Sequence, residues 1–229
     1  DLIVIHGLLG MSNNWNSLGK QFSKYCRVHL IDLRNHGRSP HAEDFNYDVM
    51  CGDFLEYMKD HNIQKPILLG HSLGGKVAMK FAFAYPERTE KLIVADISPR
   101  EYNTDFVLNL LQSLYKLPLE NFERREEIDD VLSSTYNDKG MRLFLLKNLY
   151  RKEDKEFAWR FNIDVLLEKV NNIQEADFVK GICDVSTHFI RGGNSNYINS
   201  EDELIINKHF SDFSIATIDG VGHWIHAEN

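Results

Sequence analysis

The stretch Ile67-Leu68-Leu69-Gly70-His71-Ser72-Leu73-Gly74-Gly75 constrains this chain more than any other. It reads as a short apolar strand, a sharp turn, and a helix opening at about Gly74. Ser72 stands at the centre of a G-x-S-x-G pattern, which lifts a hydroxyl onto a strained strand-to-helix turn where a base can reach it. Gly70 and Gly74 remove side chains that would collide there. Ordinary glycine turns carry the same pattern, so the surroundings decide. Pro66 to Leu69 supplies the strand. Val77, Ala78, Phe81, Ala82 and Tyr85 recur at helical spacing until Pro86 ends the run.

The flanking segments predict a parallel sheet. Leu2-Ile3-Val4-Ile5, Arg27 to Asp32 and Leu92 to Asp96 are continuous apolar runs, suited to strands covered on both faces. Helical spacing separates them, through Leu18, Phe22 and Tyr25, and then through Met50, Phe54, Leu55 and Met58. Such alternation predicts βαβ units. It stops at Pro99. From about Arg100 to Asp184 the pattern reads as helical only, with stripes at Phe106, Leu110, Leu111 and Leu114, at Ile128, Val131 and Leu132, at Leu143, Leu146 and Tyr150, and at Phe157, Phe161, Val165 and Leu166. Strands resume at His188 to Gly193 and at Phe213 to Ile218. Between them a helix is expected near Ser200 to His209, opening on a capping box of Ser200 and Glu203. The expected fold is α/β, a mostly parallel sheet flanked by helices. Residues 1–99 and 185–229 would form the core and 100–184 an inserted helical cap.

Composition narrows the partners. The 229 residues carry a net charge of -8, which argues against nucleic acid and against an anionic membrane surface. No apolar run is long enough to span a bilayer. Cys26, Cys51 and Cys183 are an odd number without paired spacing, which suits reduced thiols and a cytoplasmic setting. The expected partner is a small-molecule substrate, and the expected assembly a monomer or homodimer. The chain has no initiator Met, opens within a strand and stops abruptly at Asn229, so both ends of the natural protein are expected to lie outside it.

Activating a serine requires a base, an acid that orients the base, and donors for the oxyanion. His223, in Gly220-Val221-Gly222-His223-Trp224 after the last strand, is the expected base. His71 adjoins Ser72 and should point away from it, His6 precedes the loop needed for the oxyanion, and His226 lacks flanking glycines. With a nucleophile of this kind the acid falls between serine and histidine in the chain. The turn after Gly192 reads Gly193-Asn194-Ser195-Asn196-Tyr197 and has no carboxylate. Asp96, at the end of the strand beside the elbow, is favoured instead. The alternative has Asp96 capping the loop before Pro99 while Glu201 or Asp202 supplies the acid. Backbone donors for the oxyanion are expected at Leu73 and Leu8. His6, Trp15, His71, Trp159 and Trp224 are candidates for the substrate pocket. No cofactor or metal is expected, since His36 and His41 lack a third ligand.

Several motifs carry a family likeness. They are His6-Gly7-Leu8-Leu9-Gly10 with Trp15, Asp32-x-Arg34-Asn35-His36-Gly37-x-Ser39-Pro40, Gly70 to Lys76, and Asp96-Ile97-Ser98-Pro99. Trp159-Arg160-Phe161-Asn162, Gly192-Gly193-Asn194-Ser195-x-Tyr197 and Gly222-His223-Trp224-x-His226-Ala227-Glu228 complete the set. Together they resemble the YbfF-type esterases of the α/β-hydrolase superfamily, most weakly between about Tyr102 and Lys155. The resemblance implies hydrolysis of acyl esters, with acyl-CoA thioesters among the family's substrates. It also implies an acid on the strand before the cap, at Asp96, with further strands before Leu2 and a helix after Asn229.

The leading expectation is a serine carboxylesterase or thioesterase working through an acyl-enzyme. Other reactions on the same triad stay open: C–C bond hydrolysis, a menaquinone-pathway lyase reaction, and cofactor-free perhydrolysis. A non-catalytic ligand-binding protein on the same fold is a further alternative. Epoxide hydrolases and haloalkane dehalogenases use an aspartate where this chain has Ser72. Arg124, Arg125, Lys147, Arg151 and Lys152 could meet a CoA phosphate, but solvated helix faces are the simpler reading.

Overall fold

Four apolar residues are enough to start the sheet. In the computed structural model, which describes residues 1–173 and 176–228, strand β1 (Leu2–Ile5) is buried along its whole length. After the short helix α1 (Asn16–Phe22), β2 (Val28–Ile31) pairs with it in parallel, Leu2 opposite Val28. Helix α2 (Tyr47–Asp60) opens on Asn46, whose side chain accepts from the Val49 N–H. It crosses to β3 (Ile67–His71), which pairs with the other side of β1. Helix α3 (Leu73–Ala84) then leads to β4 (Lys91–Ala95).

Beyond β4 come α4 (Asp105–Tyr115), α5 (Arg125–Ser133), α6 (Lys139–Leu146), strands β5 (Leu149–Arg151) and β6 (Phe157–Trp159), and α7 (Ile163–Lys169). The chain rejoins the sheet with β7 (Thr187–Gly192), crosses by α8 (Ser200–His209), and ends it with β8 (Phe213–Ile218). The six strands lie in the order β2-β1-β3-β4-β7-β8, every pairing among them parallel. All carboxyl ends therefore face one edge, where open parallel sheets bind ligands. One face packs on Met50, Phe54, Met58, Val77 and Phe81 of α2 and α3. The other covers Leu2, Val4 and Leu69 with Trp15 and α1.

Two sequence expectations are corrected. The segment after Pro99 is not helical throughout, because β5 and β6 form an antiparallel hairpin with Leu149 opposite Trp159. Tyr150 and Phe157, read as helical stripes, belong to it. Lys155, at φ 72°, turns the chain between the strands. Phe157 and Trp159 are buried and Ala158 is not, a period of two that a three-residue strand is too short to announce. The cap of α8 also lies one residue earlier than read. Asn199 accepts from the N–H groups of Glu201 and Asp202, and Asp202 accepts from the Asn199 N–H. Asp202, rather than Glu203, closes the box and is fully buried. Among the described residues, no helix is long and apolar enough to cross a membrane.

Candidate active site

The elbow is built by close approach. A Cβ on Gly70 would stand 2.2 Å from the Gly74 carbonyl oxygen, and one on Gly74 would stand 2.4 Å from that of Ile5. Only glycine lets β3 turn into α3 against the end of β1. Ser72 takes the turn at φ 52°, ψ -118°, a region that non-glycine residues occupy at a cost of about 1–3 kcal/mol. Its N–H donates to the Ala95 carbonyl at 3.0 Å, and its own carbonyl accepts from the Lys76 N–H. The packed sheet holds the strain and leaves the hydroxyl at the strand edge.

His223 reaches this hydroxyl from the loop after β8. Its Nε2 lies 3.0 Å from Ser72 Oγ, and its Nδ1 lies 2.7 Å from Asp96 Oδ2. A carboxylate only accepts, so Nδ1 carries the hydrogen and Nε2 turns its lone pair to the serine. Asp96 is wholly buried, at φ 50°. Its Oδ1 accepts from the Gly192 N–H at 2.9 Å, and its Oδ2 also accepts from the Ser195 hydroxyl. Asp202, the rival acid, is held by the Ser98 hydroxyl, the Arg100 guanidinium and the Asn199 N–H, and Glu201 is exposed.

The sequence reading missed two residues on the turn that lacks a carboxylate. Ser195 occupies that turn and shares the Asp96 oxygen that the imidazole uses. The ring of Tyr197 stacks on His223, with centroids 3.8 Å apart. Tyr102 holds Tyr197 in turn, donating to its carbonyl at 2.5 Å and accepting from the Ser98 N–H. The signal was a serine and a tyrosine at two-residue spacing after Gly193, in a motif read for the acid it lacked and for its family likeness, with no role given to either residue. Glu228 pins the histidine loop by accepting from the N–H groups of Gly222 and Trp224.

Three further histidines stand near the site, each held by its neighbours. His71 does not point away from the site; its Nε2–H donates to the His223 carbonyl at 2.8 Å. His6 donates from Nδ1 to the Gly7 carbonyl and accepts at Nε2 from the Leu33 N–H, which joins the loop after β1 to the one after β2. Burial lowers the pKa of both. His226 stacks on Trp15 at 4.6 Å, and burial followed by the nearby His223 pushes its pKa down to about 4. All three are therefore neutral at pH 7.

A cavity of about 620 Å³ opens onto Ser72 and His223. Leu8, Phe106, Leu110, Met141, Phe144 and Trp224 give it apolar walls, two of them on α4 and two on α6. His6, Trp15, His71 and Trp224 are among its lining residues. Trp159 is not. It stacks on Phe161 at 5.1 Å and donates from Nε1 to the Leu114 carbonyl, because its strand turns it into the core. Among the described residues no three His, Cys, Asp or Glu side chains are grouped to hold a metal. Arg124 and Lys152 pair with neighbouring carboxylates, and Arg125 and Arg151 donate to backbone carbonyls.

A parallel sheet with a strained strand-to-helix serine at its carboxyl edge defines a class, and a family model for the alpha/beta hydrolase fold matches residues 2–162. The chain belongs to this α/β-hydrolase family, as an enzyme of the esterase/lipase type. A solved marine microorganism esterase is 39% identical, with a TM-score of 0.95 over 100% of this chain and 90% of that one. A Haemophilus influenzae relative with an esterase/lipase designation is 37% identical over 99% of this chain and 78% of its own. The mouse sn-1-specific diacylglycerol lipase ABHD11 is 33% identical over 99% of this chain and 76% of its own.

Proposed function

We propose that the chain is a serine carboxylesterase that hydrolyses acyl esters through an acyl-enzyme on Ser72. One observation carries this reading: the Asp96–His223–Ser72 hydrogen-bonded chain, at 2.7 and 3.0 Å, ends in an apolar cavity. Ser72 Oγ attacks the ester carbonyl carbon while His223 Nε2 takes its proton. The oxyanion that forms meets the N–H groups of Leu8 and Leu73, the latter at the open N-terminus of α3; each such donor contributes about 3–4 kcal/mol in the transition state. Collapse breaks the C–O bond, and the alcohol leaves with the proton from His223. Water, deprotonated by His223, then attacks the acyl-enzyme and releases the acid and Ser72. Asp96 steadies the imidazolium in both halves, and Ser195 and Gly192 hold Asp96 in place.

The segment 100–184 serves as the cap, since α4 and α6 wall the cavity above Ser72. Its apolar lining suits an aliphatic arm, in line with the lipase named among the relatives. Thioesters can follow the same route. The basic residues first considered for a CoA phosphate are absent from the cavity lining, so oxoesters fit the site better. The test uses p-nitrophenyl acyl esters and a fluorophosphonate probe. The wild type is expected to turn over the esters and to label at Ser72. Ser72→Ala is expected to lose both, with turnover falling by about 10⁴-fold or more. Full turnover by that variant would sink the assignment.

A further inference from the structure

Ser72 lies where two cavities meet, and they differ in charge. The larger is lined by the carboxylates Asp138 and Glu228, with no Lys or Arg among its described lining residues. The smaller, about 210 Å³, shares Leu8, Ser72, Val107 and Tyr197 with it. It is lined by Lys76 and Arg100, with no carboxylate among its described lining residues. The two cations are not equivalent. Arg100 pairs with Asp202 at 2.7 Å. Lys76 is 2% exposed, donates to the Arg100 carbonyl, and faces the rings of Tyr102 and Phe178 at 5.2 and 5.6 Å. It has no carboxylate partner among the described residues.

An ammonium has three donors, and burying it without a carboxylate in direct contact is costly, although Glu101 and Asp202 favour its charge from further off. Burial, followed by the charge of Arg100, lowers the Lys76 pKa to about 7. Lys76 stands one helical turn beyond Ser72 on α3, on the same face, so an anion beside it also lies beside the nucleophile. We propose that the small cavity is a subsite for a short, carboxylate-bearing arm of the ester, with Lys76 as its ion partner. The apolar cavity takes the other arm. The enzyme thus selects half-esters with one short anionic end and one aliphatic end. This inference rests on the esterase reading above.

Two ester pairs test it, one for each side of the bond: monohexyl succinate against hexyl butyrate, and the hexanoyl ester of 4-hydroxybutyrate against butyl hexanoate. The readout is the ratio of kcat/KM, charged over neutral, within each protein. A charge-assisted contact predicts a wild-type ratio of about ten in at least one pair. In Lys76→Met and Lys76→Gln that ratio is expected to fall to about one, with part of it kept in Lys76→Arg. A wild-type ratio of one or less in both pairs overturns the subsite even if the variants fold poorly, as does an unchanged ratio in Lys76→Met. If the wild type still hydrolyses the neutral esters and labels at Ser72, the esterase reading survives that result. No hydrolysis and no labelling would remove both.

Discussion

The sheet and the segment inserted between β4 and β7 answer to different constraints. In the sheet, every residue proposed for chemistry follows a strand end, and backbone geometry allows little choice. Ser72 and Asp96 both sit at positive φ, and Gly70 and Gly74 leave no room for a methyl group. In the insert, side chains supply volume. Phe106, Leu110, Met141 and Phe144 shape the cavity, while Trp159, Phe161 and Leu166 fill the core beneath it. In the proposed mechanism, reaction is thus confined to one edge of the sheet, and the cavity's shape is set by side chains of the insert.

Substitutions can break this division or sharpen it. After Ser72→Ala, Asp96→Asn should give the largest loss in turnover. The amide keeps the volume, and its oxygen can still accept from the Gly192 N–H, while its NH2 takes the Oδ2 side and faces Ser195 and His223 as a donor. It no longer compensates the imidazolium and favours the wrong tautomer, at a cost of about 10⁴-fold in kcat in a serine protease. The same variant should unfold near the wild-type temperature. A turnover loss under tenfold would mean another carboxylate serves His223. Trp159→Ala should do the reverse. Removing a buried tryptophan should cost about 3–5 kcal/mol of stability, read by denaturant unfolding. Turnover of a short ester at low temperature should change little, and a large drop would place Trp159 in the pocket after all. Ser195→Ala should show the smallest effect. The Gly192 N–H and His223 still hold Asp96, so kcat should fall about tenfold, the worth of one hydrogen bond to a charge. Ser195→Thr, which keeps the hydroxyl, should restore most of that rate; no rescue would reduce Ser195 to a turn residue.

How far each region could be read follows the same line. Strands β1, β3 and β4, α3, and the turns that carry Ser72 and His223 were legible because each stands in a local pattern of apolar runs, glycines and turn breakers, while Asp96 was favoured over Glu201 and Asp202 without any local pattern to exclude them. The β5–β6 hairpin was not, because three residues per strand carry too little period to outweigh helical spacing. Asn199 took the cap expected at Ser200 because an asparagine in extended backbone reached the free N–H groups first. Ser195 and Tyr197 were given no role because their partners, Asp96 and His223, stand 99 residues before and 26 residues after them.

By itself the sequence determined that strands would alternate with helices, that one serine would be lifted onto a turn, and that a histidine would follow the last strand. These are short-range matters of sterics and periodicity, decided within about ten residues of chain. Only the tertiary structure decided which carboxylate meets that histidine, which aromatic rings line the cavity and which support it, and that a buried lysine with no carboxylate partner among the described residues borders the nucleophile. Those depend on which strand lies beside which and on what each burial leaves unpaired, and neither is written in the spacing of neighbouring residues.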